Sequence, residues 1–127
     1  SGANLTKADL SRASLPRALF TGANLSGASL EKSDVIRSNF DNADLTDINF
    51  TYAIVARASF RNAKLAGSNW TNAYLYRSSL VGADLSGVTG LTTAQVAIAC
   101  GDSSTKLPAG VEAPNPWPCI KQDESAL

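Results

Sequence analysis

The chain has 127 residues, a length typical of one domain with a modest core. Its 11 Lys and Arg balance 11 Asp and Glu, which indicates neither a strong polyanion-binding field nor an acidic surface resembling nucleic acid. The absence of His removes the commonest general base, metal ligand and pH switch. No apolar run approaches the roughly 18 residues of a membrane span, and no signal segment is found. The lack of Met, even at position 1, predicts a processed piece of a longer product.

From Ala3 to Leu85 the chain repeats a five-residue unit without a slip in phase, giving 17 consecutive units. Helical faces recur about every 3.6 residues and strand faces about every 2, so a fixed period of five predicts a repeat architecture. Two positions before each bulky residue the side chain is Ala or Ser, with Ile48 the single exception. Every fifth position is apolar: Leu5, Leu10, Leu15, Phe20, Leu25, Leu30, Val35, Phe40, Leu45, Phe50, Val55, Phe60, Leu65, Trp70, Leu75, Leu80 and Leu85.

Folding these units in fours places like side chains on like, because alignment by 20 residues superposes Leu5 on Leu25 and Leu45. The motif Ala-(Asp/Asn)-Leu-X-X, seen at 3–7, 23–27 and 43–47, resembles the pentapeptide-repeat family over residues 1–90. The resemblance implies an all-β fold, a right-handed quadrilateral parallel β-helix of about four coils with the small and bulky positions pointing inward. Ile48 is then expected either to push its wall outward or to occupy space freed by a neighbour.

The third side of each coil carries the sharpest outward pattern. Two residues after its bulky position stands a column of four arginines: Arg17, Arg37, Arg57 and Arg77. Apolar and aromatic residues are expected outward beside them: Ile36, Ile54, Tyr52, Tyr74 and Tyr76. This composition is typical of interface anchors. The alternative is a solvated wall, in which the Arg side chains splay along the rod and stack on Tyr and Ile while Asp34 compensates part of the charge.

The two ends of the predicted rod differ. Ser1 and Gly2 already fit the repeat phase, and the first coil has no visible cap although an open coil end is an exposed strand edge. Either a preceding segment has been removed or another chain covers this end, so we expect a monomer or an end-to-end dimer through the N-terminal coil. At the other end the repeat decays near Gly90.

A second region, the cap, is predicted over residues 91–127. Thr92 and Gln95 have capping-box spacing, and they predict a short helix over 93–100, ended by Gly101, that lies as a lid on the last coil. The remainder is a Pro-rich loop, with a frayed tail after about Lys121.

The chain has two cysteines, Cys100 and Cys119, and both fall in the predicted cap. This placement favours a disulfide, which would indicate a periplasmic, lumenal or secreted protein. The alternatives are free thiols or half of a metal site, which would allow a cytoplasmic protein.

No nucleophilic triad or metal cluster can be assembled without His, so we predict no enzyme, and no catalytic, cofactor-binding or metal-binding residues. Three functions remain open. The first is a structural or protein-interaction rod with an unidentified protein partner. The second is a binder of an anionic polymer through the Arg column, although a nucleic acid is not expected. The third follows from the resemblance, because some family members imitate duplex DNA and bind topoisomerases. Those rods are strongly acidic, whereas residues 1–90 hold 9 basic against 7 acidic residues.

Overall fold

The computed structural model describes residues 3–119. Residues 1–2 and 120–127 lie outside the described residues, and so do the repeat phase expected at Ser1 and Gly2 and the tail expected after Lys121. Between them the chain winds into a square, four-sided rod of stacked coils. We number the sides by their inward bulky residues in the first coil: side 1 holds Leu5, side 2 Leu10, side 3 Leu15 and side 4 Phe20.

Each side pairs with the coils above and below through a single parallel bridge rather than an extended strand. On side 1 the bridges join Asn4 to Asn24, Asn24 to Asp44, Asp44 to Lys64 and Lys64 to Asp84. The offset of 20 residues is the one that the repeat predicts, and the parallel β-helix of about four coils is confirmed. A typical rung closes two hydrogen bonds, as where Leu5 N–H donates to Asn24 O at 2.7 Å and Asn24 N–H to Ala3 O at 2.8 Å.

The corners explain why Asp or Asn precedes the bulky position. At each corner a hydrogen bond spans three residues, for example from Ala28 N–H to Leu25 O at 3.0 Å. From Lys7 to Gly82 the residue two after the bulky one has positive φ, between 55° and 62° in its non-glycine examples, which is the geometry of a type II turn. The preceding Asn24 stabilises the same corner, because its Oδ1 accepts the N–H of Ser26 at 3.0 Å. The repeat motif is therefore a turn motif as much as a core motif.

The rod interior is a stack of like side chains. The rings of Phe20, Phe40 and Phe60 lie one above another, with centroids 5.0 Å apart and interplanar angles of 12° and 1°. Ser replaces Ala at some small positions without leaving a polar group unpaired, since the buried Ser68 hydroxyl donates to Leu65 O at 2.6 Å.

Ile48 resolves in favour of the second expectation. Its side chain is fully buried, and its column neighbours Ala28 and Ser68 are small. The bonds that join its wall to the neighbouring coils keep ordinary lengths, 3.0 Å from Asn49 N–H to Ala28 O and 2.9 Å from Asn69 N–H to Ile48 O. The wall is not displaced, so Ile48 fills space that its small neighbours leave inside the rod.

The predicted helix is shorter than 93–100. The helix α1 spans Thr93–Val96, with the capping box of Thr92 and Gln95 present as expected and Ala97 as its C-cap. It ends early because the chain then returns to the rod, where Arg77 N–H donates to Ile98 O at 2.7 Å and Leu80 N–H to Cys100 O at 2.8 Å.

Pairing continues past residue 90, where the sequence repeat decays. Ser79 bridges Cys100 and Asp84 bridges Lys106, at offsets that are no longer 20 residues. These residues complete most of a further coil in which α1 replaces side 3. The amide of Gln95 holds the helix in place by donating to Trp70 O at 2.8 Å and to Ala73 O at 3.0 Å.

The segment 107–119 lies over the last coil. Leu107, Val111 and Trp117 pack against the core. The expected disulfide joins Cys100 to Cys119 and ties this segment to the rod. At the opposite end Leu5, Leu10 and Leu15 are only partly buried, whereas their counterparts one coil higher are fully buried: Leu25, Leu30 and Val35.

Candidate protein-interaction face

Backbone pairing fixes the arginine column, here called the Arg corner: Arg17, Arg37, Arg57 and Arg77. Each Arg N–H donates to the residue one coil higher, at 2.8 Å to Ile36 O, 2.9 Å to Ala56 O, 2.7 Å to Tyr76 O and 2.7 Å to Ile98 O. Since the coils repeat at the 5.0 Å spacing of the Phe stack, the four Cα atoms form a regular row along one edge of the rod.

Side 3 and its two corners carry an exposed cluster, here called the aromatic patch: Tyr52, Ile54, Tyr74, Tyr76 and Ile98. Their exposed fractions run from 37% to 55%. The bridge from Ile54 to Tyr74 places those two on neighbouring coils of side 3. Tyr76 and Ile98 occupy the Arg-corner edge, and Tyr52 occupies the opposite corner. The patch thus spans the C-terminal half of the side and reaches the cap.

The structure brings most of the predicted site residues together. Ile36 is partly buried and lies in the lower half of the side, below the aromatic patch, and Arg17 lies one coil lower still. Ile98, the top rung of the patch, was not among the predicted site residues. Ile98 is the counterpart of Tyr76 one coil higher, because Arg57 N–H donates to Tyr76 O and Arg77 N–H donates to Ile98 O. The two are separated by 22 residues, so the period of 20 gives no signal for Ile98.

Two arginine side chains of the Arg corner contact a tyrosine ring of the aromatic patch. The guanidinium carbon of Arg57 lies 5.5 Å from the centroid of the Tyr76 ring, and that of Arg77 lies 5.9 Å from it. The rings of Tyr74 and Tyr76 stack at 6.2 Å with an interplanar angle of 10°. Cation–π contacts at exposed sites contribute about 0.5–1 kcal/mol each. They hold Arg57 and Arg77 in defined positions beside apolar surface.

The two corners of side 3 differ from those of side 1 in the residue types that adopt positive φ. The corners of side 3 place Arg, Lys, Tyr or Asn at positive φ and contain no glycine: Arg12, Arg17, Lys32, Arg37, Tyr52, Arg57, Asn72 and Arg77. The corners of side 1 use Gly, Asn or Asp at all such positions through Gly82 except Lys7: Gly22, Gly27, Asn42, Asp47, Asn62, Gly67 and Gly82. Positive φ favours Gly, Asn and Asp, so side 3 keeps large side chains against the backbone preference. Such strain clusters at functional surfaces.

The lower and upper halves of side 3 differ in their charged and apolar residues. The lower two coils hold Arg12, Lys32 and the first two residues of the Arg corner, together with Glu31 and Asp34. Asp34 accepts the N–H of Ile36 at 3.1 Å, so this carboxylate is engaged in its own corner. The upper two coils hold the aromatic patch and Arg57 and Arg77. We call the Arg corner and the aromatic patch together the docking face.

A groove lies on side 1. It has a volume of about 490 Å³ and is lined by small and polar residues, among them Lys64, Asp84 and Gly87. Lys64 lies between Asp44 and Asp84 in the ladder. The pKa of Asp84 is lowered chiefly by the Ser86 hydroxyl, which donates to its Oδ1 at 2.6 Å, and by the Ser86 N–H. These carboxylates are turn elements, and no cluster of His, Cys, Asp and Glu suited to a metal occurs within residues 3–119.

The family follows from the sequence model and the fold together. A family model described as pentapeptide repeats matches residues 1–35, 33–62 and 56–89 with 8 copies. The chain belongs to the pentapeptide-repeat family, whose fold is the right-handed β-helix described above. Over the described part of the chain, no helix has the length and apolarity needed to span a bilayer.

Solved structures give more specific likenesses. A pentapeptide repeat protein from the thylakoid lumen of Arabidopsis thaliana is 34% identical, with a TM-score of 0.67, over 69% of this chain and 61% of that one. HetL from the cyanobacterium Nostoc sp. strain PCC 7120, a protein involved in heterocyst differentiation regulation, is also 34% identical, with a TM-score of 0.68, over 71% of this chain and 44% of that one. This chain therefore spans less than two thirds of either protein.

A more distant likeness carries no functional argument. QnrB1, a plasmid-mediated fluoroquinolone resistance protein, is 17% identical over 88% of this chain and 58% of that one, with a TM-score of 0.46. A search of curated protein sequences finds no match.

Proposed function

We propose that this chain is a non-enzymatic protein-interaction module that binds a partner protein through the docking face. One observation carries the proposal. Among residues 3–119, six large apolar side chains are exposed, and all but Leu19 belong to the aromatic patch. Exposed apolar surface gathered on one side and bordered by Arg is typical of protein interfaces, whereas scattered apolar residues need no such explanation.

Two further features support the proposal. Tyr and Arg are enriched among the residues that dominate interface energies, and both are present here in contact with one another. The Arg corner also keeps charged residues at positive φ on every coil, where Gly or Asn would cost less. A face retained against the preference of its own backbone is better explained by binding than by solubility.

The experiment is affinity capture from the extract of the source organism at two salt concentrations. The test variant combines Arg37→Ser, Arg57→Ser and Arg77→Ser. The control combines Lys7→Ser, Lys64→Ser and Lys106→Ser, which removes the same charge from exposed positions on side 1 and its corners. We expect the test variant to lose partners that the control keeps. If both variants retain the same partners as the parent chain, the docking face is a solvated wall and the proposal fails.

Polyanion binding is the second candidate, and the Arg row is the observation that favours it. Binding to a phosphate or sulfate polymer would weaken steeply with salt and would depend on arginine alone. A protein interface would keep most of its affinity and would also require the tyrosines. The two salt concentrations separate these outcomes. A topoisomerase-binding mimic of DNA would need an acidic face, and the positive Arg corner opposes it.

The disulfide supports an oxidising compartment, which we propose to be lumenal, periplasmic or extracellular. The likeness to a thylakoid lumen protein is consistent with this proposal. Rapid alkylation of intact cells, followed by mass spectrometry without reduction, tests it. The linked Cys100–Cys119 peptide is expected, and two alkylated thiols would indicate a reducing compartment.

A further inference from the structure

We infer that the docking face receives an amphipathic α-helix that lies along the rod and carries a row of acidic residues on one border. The inference rests on the proposed function, and it names the kind of partner surface that this face fits. Three observations carry it: the spacing of the Arg corner, the apolar row beside it, and the contacts that already surround Tyr76.

The rung spacing matches a helix better than it matches an extended chain. Rungs repeat at 5.0 Å, the separation of the stacked Phe rings. An α-helix rises about 5.4 Å per turn, so acidic residues three or four positions apart drift only about 0.4 Å per rung. In a β-strand, residues on one face recur about every 6.6 Å, and the mismatch grows by about 1.6 Å per rung. Over the three steps of the Arg corner the mismatch grows to about 1.2 Å for the helix and about 4.8 Å for the strand, so the helix matches the arginine row more closely.

The chemistry of the face fits the two borders of such a helix. The apolar stripe would cover two adjoining columns of two residues each, Ile54 with Tyr74 on side 3 and Tyr76 with Ile98 at the Arg-corner edge. An acidic row next to that stripe would meet the Arg corner, where guanidinium groups pair well with carboxylates. The upper half of side 3, residues 51–57 and 71–77, contains no Asp or Glu, so a negatively charged border supplies the complement to the Arg57 side chain there.

Two other occupants fit less well. Tyr76 already lies against Arg57, Arg77 and Tyr74, which leaves little open ring face on which a nucleic-acid base could stack. Residues 3–119 of a second copy do not supply such a helix, because α1 has four residues and is the sole helix in that range. We therefore assign the helix to another protein.

Two peptide display libraries test the inference. One presents a 20-residue helix with randomised surface positions, and the other presents linear peptides of equal length with proline placed to prevent helix formation. Both are selected against the full chain. The selected peptides are then measured on the Arg37, Arg57 and Arg77 triple Ser variant, on a Tyr74→Ser and Tyr76→Ser double variant, and on the triple Lys control.

We expect binders from the helical library with Asp or Glu at every third or fourth position beside a Leu or Ile stripe. Their affinity should fall by about tenfold or more on the Arg and Tyr variants, as at interface hot spots, and should not change on the Lys control. Chemical shifts of a labelled bound peptide should be helical. Circular dichroism of each variant checks that the rod is still folded.

Other results overturn the inference. These are binders from the linear library alone, helical binders without acidic residues, an absence of binders on this face, or displacement of the binders by single-stranded oligothymidine. The proposed function fails separately, if capture from the extract does not depend on the Arg corner. Capture that depends on the Arg corner, together with failed peptide selection, would retain the function and reject the helix.

Discussion

Replacing Arg37 by Gly should stabilise the rod while it removes a residue of the docking face. Arg37 has φ of 60°, and its backbone N–H bond to Ala56 O at 2.9 Å does not depend on the side chain. The side chain is exposed, and the cation–π contacts of the Arg corner involve its neighbours Arg57 and Arg77. The substitution therefore removes strain without removing packing.

The magnitude follows from two terms. A left-handed conformation costs a non-glycine residue roughly 1–2 kcal/mol, and the greater backbone entropy of Gly in the unfolded chain returns about 0.5–1 kcal/mol of that. Repulsion between like charges one rung apart is below about 1 kcal/mol in water and is reduced further by salt. The net expectation is a gain of about 1 kcal/mol, or about 3–5 °C in Tm for a chain of this length.

Urea unfolding followed by circular dichroism measures the gain, and Arg37→Ala is the matched control. The Ala variant loses the same charge but keeps a Cβ atom at positive φ, so it should gain only the small electrostatic part. If the Gly variant is no more stable than the Ala variant, the backbone at this corner is not strained, and the argument from strain to function fails with it.

Three other changes should have measurable effects. Phe40→Ala removes the middle ring of the buried stack and should cost about 3–5 kcal/mol in urea unfolding, more than the same change at the less buried Phe20. Cys119→Ser opens a loop with a sequence separation of 19 and should cost about 3 kcal/mol, a loss that reduction of the parent chain should reproduce. The pKa values of Asp44 and Asp84 are lowered in the fold, first by the hydroxyls of Thr46 and Ser86. Their contribution is present above the unfolded-state pKa of about 3.9 and is lost as pH falls through the folded value. A double Asn variant should show a shallower loss of stability below that pH, and an unchanged slope would contradict this assignment.

The rod could be predicted from sequence because its information is local and repeated. Each unit specifies its own corner, through an Asx turn such as that of Asn24, and its own inward pair of side chains. Alignment by 20 residues then gives the register, since a slip by one unit would stack Phe40 under a Leu or Val. The capping box is equally local, because Thr92 and Gln95 satisfy each other within one turn.

What the sequence did not predict depends on contacts between distant segments. The helix stops at Val96 because Ile98 and Cys100 find rung partners on the rod, and nothing in their own residue types indicates this pairing. The accommodation of Ile48 depends on the volumes of residues 20 positions away on either side. In the candidate site, the column of arginines was visible, but the placement of Tyr76 against Arg57 and Arg77 depends on side-chain packing.

The covered C-terminal end has a consequence for assembly. Head-to-tail stacking of copies would require an uncovered coil at both ends of each rod. It would generate a fibre of unlimited length, because parallel coils add without a closing rotation. Helix α1 and the tethered segment 107–119 occupy the position where the first coil of a second copy would add. The cap therefore blocks the addition of another copy at the C-terminal end of the rod, whatever precedes residue 3. A short helix and one disulfide thus cover a coil edge that, if exposed, would favour fibre formation.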